Sequence, residues 1–354
     1  MRLPSKFVDQ VPISPGKNAL VFRARNALLN REVFLKVYPV VPADKRSALR
    51  EPHLLEMLKH PNLTAIYGAD TIRTESDVHI CLEMELITGG SFDDVIKAAA
   101  QTGRWPEVHD SIRLVLDAAA GLAHLHENGF VHRDIKPANL MIRDRTPIRE
   151  GAVSDLGLAG RLDSDTGRAF SSRHARLYRP PEVWQKRGYS VRSDVYQLGV
   201  VLFQLLGGAV RYNLTELDDA ILAKAILEGD FMVWESIPPH IGRPLRTLLK
   251  KATEVDESIR YESMTSLCVA LNNVYSKQLN WLFLRNGDAG FTLQRQDGAA
   301  VLRLGVKRIA GSHFEVERTK KKAGGFRRVG QIVRVVHGDL SRSQEFQRLV
   351  NDSW

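Results

Sequence analysis

His132-Arg133-Asp134-Ile135-Lys136-Pro137-Ala138-Asn139, with Asp155-Leu156-Gly157 sixteen positions after Asn139, is the stretch that decides how the rest of the chain reads. Eight residues bring together a carboxylate suited to act as a general base, a lysine suited to sit against a phosphate, and an amide oxygen suited to ligate a metal. Asp155 adds a second hard oxygen ligand. One short motif recurs by chance in long chains; an octad followed by Asp-x-Gly is a far more specific signal.

Around this stretch the chain has the bulk properties of a folded globular protein. Its 354 residues suffice for two or three domains, and its 44% hydrophobic content is ordinary. The longest apolar run, Leu198 to Val210, is too short to span a bilayer and contains Gln204. Met1 to Val11 lacks the apolar core of a secretory signal, so no transmembrane or leader segment is expected. Cys81 and Cys268 lie far apart, without metal-ligand spacing. They read as two buried thiols, in keeping with a reducing, cytoplasmic compartment. The charge is uneven: residues 276–354 hold 15 Lys+Arg against 7 Asp+Glu, nearly the whole of the net +9.

Hydrophobic periodicity changes along the chain. From Phe7 to Tyr38 short apolar alternations suggest strands, with a turn at Pro15-Gly16-Lys17-Asn18. Lys45 to Lys59 reads as a helix ended by His60-Pro61-Asn62, and Thr64–Thr71 and Val78–Leu86 read as strands. After Gly89-Gly90 the texture becomes helical over Ser91–Ala100, Val108–Asn128 and Ser193–Leu206. Alternation returns over 281–338, where Gly324-Gly325 suits a hairpin turn.

These motifs resemble the eukaryotic-like (Hanks-type) serine/threonine protein kinase family over roughly residues 8–275. The resemblance implies an α+β, bilobal protein-kinase-like fold with a small β-rich N-lobe (8–87) and a larger helical C-lobe (91–275). A small β-rich basic domain at 281–354 would follow, and no family is recognised there. The implied reaction is transfer of the γ-phosphate of ATP to protein hydroxyls with Mg2+. Asp134 would orient the acceptor hydroxyl and Lys136 would face the transferring phosphate, while Asn139 and Asp155 would hold the metal. Lys36, ending Val33-Phe34-Leu35-Lys36, matches the strand lysine that grips phosphates, and Glu51 has the spacing of its helix partner. Glu182 in Pro180-Pro181-Glu182, Asp194 and Arg260 match the residues that brace the catalytic loop. Small-molecule kinases of the same fold usually show His-Gly-Asp in that loop and lack the Pro-Glu segment. For the nucleotide, Met84 stands at the gatekeeper position and Glu85 and Ile87 where backbone groups meet adenine. Gly16 lies under the phosphates, and Ile13, Val21 and Met141 enclose the ring. Leu55, Ile66, His132 and Leu156 would form the stacked spine between lobes.

The chain also departs from the family pattern. Ser14-x-Gly16-x-x-Ala19-x-Val21 keeps one glycine of three, and Phe34 replaces the usual alanine against adenine. Ala175 replaces a threonine that usually bonds the catalytic aspartate. The six catalytic and metal positions are intact, which favours catalysis over the alternative of a pseudokinase acting as a binding module through its basic tail. Lys136 and Pro137 favour serine or threonine as acceptor over tyrosine. Arg133 often binds an activation-loop phosphate in such kinases; Ser171 is the first choice of phosphosite, then Ser172 and Thr166. Ser91 and Ala138 stand where kinases of basic substrates often carry acids, so no upstream-arginine preference follows. The tail, with Lys320-Lys321-Lys322, Arg327 and Arg328, suits an acidic partner or nucleic acid. Trp281, Phe283, Phe291, Phe314 and Phe326 read as its core rather than as a base-stacking platform.

Overall fold

Alternation sorts the first third of the chain into strands. In Val33–Tyr38, Val33, Leu35 and Val37 bury on one face with Phe7, Ile72 and Cys81, while Phe34 and Tyr38 turn to the other face and pack on the main core. The computed structural model describes the chain except residues 1, 14–18, 41–44, 75–76, 146–147, 172–175, 212–217, 278–279, 288–289, 323–324, 338 and 352–354, and no side-chain surroundings for 45–48, 50 and 322. The expected turn at 15–18, Gly16, Ser172, Ala175 and Gly324 therefore lie outside the described residues.

Strands β1 (Phe7–Ile13), β2 (Leu20–Asn26), β3 (Arg31–Pro39), β4 (Ile66–Arg73) and β5 (Val78–Glu85) form an antiparallel sheet in the order β1-β2-β3-β5-β4, with helix α1 (Lys45–Met57) between β3 and β4. Register aligns Ile13, Val21, Lys36 and Leu82 in one cross-strand row and Arg23, Phe34, Met84 and Ile66 two residues further along. The expected strand at Thr64–Thr71 begins and ends two residues later.

The second lobe is helical: α2 (Phe92–Thr102), α3 (Val108–Glu127), α4 (Pro181–Trp184), α5 (Val191–Leu205), α6 (Asp219–Leu227), α7 (Arg243–Ala252) and α8 (Met264–Tyr275). Ser91 caps α2 by a capping box with Asp94. In α3, Ile112, Val115, Ala119 and Leu122 recur at helical spacing and are fully buried. The apolar run from Leu198 begins in α5, which is buried all round from Ser193 onward, and continues past its end. Short strand pairs complete the lobe: β6 (Phe130–Val131) with β9 (Gly160–Arg161), β7 (Leu140–Arg145) with β8 (Ile148–Val153), and β10 (Ala209–Val210) with β11 (Met232–Val233). Gly89 is a necessary glycine, since a Cβ there would lie 2.3 Å from the Ile142 carbonyl oxygen. That contact presses the inter-lobe linker against β7.

The basic tail folds as a sheet of β12 (Leu282–Arg285), β13 (Gly290–Asp297), β14 (Ala300–Ala310) and β15 (His313–Lys322), with β16 (Gly325–Arg328) and β17 (Val333–Val336) both pairing β15. The helix α9 (Gln344–Asn351) closes it, a feature the alternation does not announce. Trp281 is fully buried, its Nε1–H donating to the Val350 carbonyl at 3.2 Å. Trp281, Phe283, Leu293, Leu302, Leu304 and Phe346 form one core with Phe291 and Phe314 packed on it. Phe326 instead stacks beneath the Arg303 guanidinium, 3.7 Å from the ring centroid.

This sheet is docked on the helical lobe. Trp105, between α2 and α3, packs on both cores. Its N–H donates to the Phe283 carbonyl (3.1 Å), and the Arg285 N–H donates to that of Gly103 (2.8 Å). Asn280 accepts from the His109 N–H at the start of α3 (3.0 Å), and Gln347 of α9 donates to the Pro239 carbonyl (2.8 Å). At this interface the His240 ring stacks on Phe283 at 5.6 Å. Burial, helped by Arg246, pushes His240 down to about 3. The folded chain thus holds His240 neutral, whereas the unfolded chain protonates it below about pH 6.5, so stability is lost as pH falls below that value. We expect wild type to lose about 2 kcal/mol relative to His240→Phe between pH 7.5 and 5, at about 1.4 kcal/mol per pH unit below the ordinary histidine value. Parallel melting curves of the two proteins across that range check this.

Both cysteines are free; burial raises Cys81 to about 12 and Cys268 to about 11. Among the described residues, no helix is long and apolar enough to cross a membrane.

Candidate active site

The cleft between the sheet and the helical lobe gathers residues from β3, α1, the loop after β6 and the loop after β8. Lys36 extends from β3 with Nζ 2.8 Å from both carboxylate oxygens of Glu51 on α1 and 2.9 Å from Asp155 Oδ1. Burial alone would lower the Lys36 pKa, but the two carboxylates outweigh it and hold the amine charged. Burial likewise pulls Asp155 upward, and Lys36 more than reverses this, keeping its carboxyl below the usual range. Asp155 adopts a left-handed backbone (φ 59°), which turns the chain at this point.

The loop after β6 sets Asp134, Lys136 and Asn139 around one carboxylate. Asp134 Oδ2 accepts from Lys136 Nζ (2.7 Å) and Asn139 Nδ2 (2.9 Å). Asn139 Nδ2 also donates to the Asp134 carbonyl (2.8 Å), so its Oδ1 is the atom left to act as an oxygen ligand. Asp134 Oδ1 is buried without a hydrogen-bond partner among the described residues. An orphan carboxylate oxygen is costly unless something fills it, and it marks where an incoming O–H would donate. The Asn139 amide oxygen and the Asp155 carboxylate are all-oxygen donors, the kind Mg2+ takes, so the residues present fit that ion.

A buried network holds this loop. Asp194 of α5 accepts from the N–H groups of His132 (2.8 Å) and Arg133 (3.0 Å) and from His126 Nε2 (2.7 Å). Its burial opposes ionisation, and His126, His132 and these N–H donors keep it ionised, with a lowered pKa. His132 is fully buried, and Leu55 and Leu156 are buried in the main core, on which Ile66 packs. Arg260 grips Glu182 by two bonds (3.0 and 2.9 Å), both side chains fully buried, and Ser193 adds a third at 2.6 Å.

Met84 is buried on β5; Glu85, Ile87, Val21 and Met141 are half-buried, and Ile13 is exposed at the sheet's edge. Phe34 stands opposite Met84 in register, its ring on the same core. The Glu85 N–H donates to the Ala65 carbonyl at 2.9 Å. Its carboxylate is gripped by Arg143 of β7 (2.5 and 2.7 Å), whose guanidinium also donates to the carbonyls of Pro61 and Leu63. The sequence reading missed Arg143, which follows apolar Leu140–Ile142 and is itself followed by charged Asp144 and Arg145, so its burial leaves no signal in the strand's pattern.

Arg133 is committed to backbone: its guanidinium donates to the carbonyls of Leu158 (2.6 Å), Phe170 (2.5 Å) and Ala159 (3.3 Å). Gly160 permits this, because a Cβ there would lie 2.7 Å from the guanidinium. Ser171 is half-buried directly after Phe170, and Thr166 sits in an exposed turn bonded to Asp163. Arg168 and Arg187 both pair with buried Glu257 (2.5 and 2.8 Å), which anchors this segment to the lobe.

A model of the protein kinase domain matches residues 7–271. Among similar proteins, the serine/threonine-protein kinase PrkC of Bacillus subtilis is 27% identical over 296 residues, covering 80% of this chain and 42% of that protein. The dual specificity mitogen-activated protein kinase kinase dSOR1 of Drosophila melanogaster is 35% identical over 201 residues, or 55% of this chain and 47% of its own length. The serine/threonine-protein kinase STY46 of Arabidopsis thaliana is 27% identical over 235 residues, 65% and 38% respectively. The chain thus spans less than half the length of each of these relatives.

Proposed function

The chain belongs to the protein kinase family, and on that premise we propose that it transfers the γ-phosphate of ATP to serine or threonine hydroxyls of proteins. The observation that carries this reading is the orphan Asp134 Oδ1 beside the Lys136 ammonium. The acceptor hydroxyl donates to Oδ1, which orients its oxygen and receives its proton as the bond to the γ-phosphorus forms and the bond from that phosphorus to the β,γ-bridging oxygen breaks, releasing ADP. Lys136 neutralises charge on the phosphoryl oxygens, and Lys36, fixed by Glu51, holds the phosphates of the nucleotide. Asn139 and Asp155 hold Mg2+, which when bound screens the phosphate charge. The Met84–Ile87 linker, with Ile13, Val21 and Met141, receives the adenine, and Gly16 is assigned to the phosphate loop.

Ser171 is the acceptor we propose first within the chain itself, ahead of Ser172 and Thr166, because it follows the residue whose carbonyl Arg133 holds. The two free thiols, Cys81 buried and Cys268 partly buried rather than fully buried as expected, suit a reducing compartment such as the cytoplasm. The exposed basic residues of β15 and β16, Lys321, Arg327 and Arg328 among them, suit an acidic partner or nucleic acid.

Binding of ATP is the first test. With Mg2+ and ATP at about a hundred times the dissociation constant, native-state linkage gives about 2.7 kcal/mol and a rise in melting temperature of about 5 °C. Lys36→Met should abolish the rise. Phe34→Ala should tighten ATP by about tenfold, equivalent to about 1.4 kcal/mol, by removing bulk from the adenine side. No thermal shift in wild type or in Phe34→Ala would overturn the ATP-using reading.

A further inference from the structure

Strands β14, β15 and β16 of the tail bury one face and carry polar and cationic side chains on the other. Leu302, Leu304 and Val316 lie in the tail core, so Val301, Arg303, Thr319 and Lys321, which alternate with them, stand on the opposite face. Register sets Gln294, Arg303, Thr319 and Arg328 opposite one another from β13 to β16, and Gln296, Val301, Lys321 and Phe326 two residues along. Neighbouring strands lie about 4.8 Å apart, so Arg303 and Arg328 are roughly 10 Å apart at the backbone. Lys321 stands on the strand between them. From Gln294 to Arg334 the chain holds 11 Lys+Arg against 3 Asp+Glu, so the tail's excess positive charge lies on this stretch.

Arg303 is the centre of this face. Its guanidinium lies over the Phe326 ring, 3.7 Å from the centroid, and its Nε–H donates to Gln294 Oε1 at 2.7 Å. Contacts from β13 and β16 thus fix the plane of the fork. Among the described residues no acid pairs with Arg303 or Lys321, whereas Arg328 pairs with Glu317 at 3.0 Å. That pair lies at the surface, where an ion pair is weak and exchanges with an incoming anion. Cations on an edge strand also guard it against pairing with another chain, which accounts for Arg327 and Arg328 on β16. It does not account for Arg303, two strands in from that edge, or for a phenyl ring kept out of the core. An acidic protein surface needs charge and has no use for a fixed plane. A planar guanidinium backed by an aromatic ring is a stacking surface for a base, and flanking cations neutralise the phosphates. Helix α9 is not offered to a duplex groove, since Phe346, Leu349 and Val350 bury it in the tail core.

We propose that this face of the tail binds single-stranded nucleic acid, with a base stacked on the Arg303–Phe326 pair and phosphates held by Lys321 and Arg328. This rests on the reading of the tail as a surface for an acidic partner or nucleic acid, and not on phosphoryl transfer. The contacts to the helical lobe come from β12, at the opposite edge of the sheet, so β14, β15 and β16 stand away from that docking.

The test measures fluorescence anisotropy of labelled single strands of about 20 nucleotides, as DNA and as RNA, on the full chain without ATP, from about 50 to about 300 mM salt. The matching duplex and a poly-glutamate peptide of equal charge are the comparison ligands. Wild type should bind one of the single strands at least about fivefold more tightly than either comparison ligand. Arg303→Lys keeps the charge and loses the plane, so it should weaken single-strand binding by about tenfold and leave the salt dependence unchanged. Lys321→Ala, at an exposed position, should lower the slope of log K against log salt by about 0.7, the share of one phosphate contact. Melting curves of both variants check that the fold is kept. Equal or tighter binding of the duplex or the peptide, or single-strand binding untouched by Arg303→Lys, overturns the proposal and leaves the coarser reading of the tail standing. No binding of any ligand at about 50 mM salt overturns both. Neither result bears on phosphoryl transfer, which is measured separately with Asp134→Asn as control.

Discussion

Asp134→Asn should lower phosphoryl transfer by about a thousandfold, within the range expected for loss of a positioned general base. The amide can still accept from Lys136 through its oxygen, as Oδ2 does now at 2.7 Å. At the position of Oδ1, however, it presents either an N–H group or an oxygen stripped of charge, and the acceptor hydroxyl loses its proton's destination. Lys36, Glu51 and Asp155 lie outside this change, so ATP should bind the variant as it binds wild type. A fall in kcat with an unchanged ATP-dependent thermal shift is therefore the expected pair of results. Transfer within a few-fold of wild type would remove Asp134 from the chemistry.

The second large effect concerns stability. Arg260→Leu should destabilise the kinase lobe by about 3–5 kcal/mol, the usual result of stranding one partner of a buried ion pair. Glu182 is fully buried and keeps only the bond from Ser193 once the guanidinium is gone. The melting temperature should fall by on the order of 10 °C. Glu182→Met combined with Arg260→Leu should recover part of the loss, because no charge is then left unpaired. If the single and double variants melt together, the pair is not what couples the segment before α4 to the lobe.

The two lobes and their catalytic loop were legible because short-range features encode them. Alternation at Val33–Tyr38 predicts a strand with two faces, and the octad at 132–139 confines three chemical groups to one loop. Arg143 and Glu85 are 58 positions apart, and Gln197 joins segments 19 and 64 positions away, so neither connection leaves a trace in local periodicity. The docking of the tail is of the same kind. Alternation from Phe291 to Val335 announces strands, yet the contact depends on Trp105, a lone aromatic in the loop between α2 and α3, meeting Phe283 far along the chain. The orphan Asp134 Oδ1 is invisible in sequence for a further reason. An unsatisfied acceptor is a property of what surrounds it, and no spacing rule reports an absence.

The central claim is phosphoryl transfer, and incubation of the full chain with Mg2+, ATP and mixed Ser/Thr peptides, followed by intact and peptide mass spectrometry, tests it most directly. Asp134→Asn is the control. Phosphate on peptide or on the chain's own Ser171 in wild type, and none in the control, is the expected result. No adduct under conditions where ATP stabilises the fold, or an adduct of nucleotide mass in place of phosphate, would contradict it.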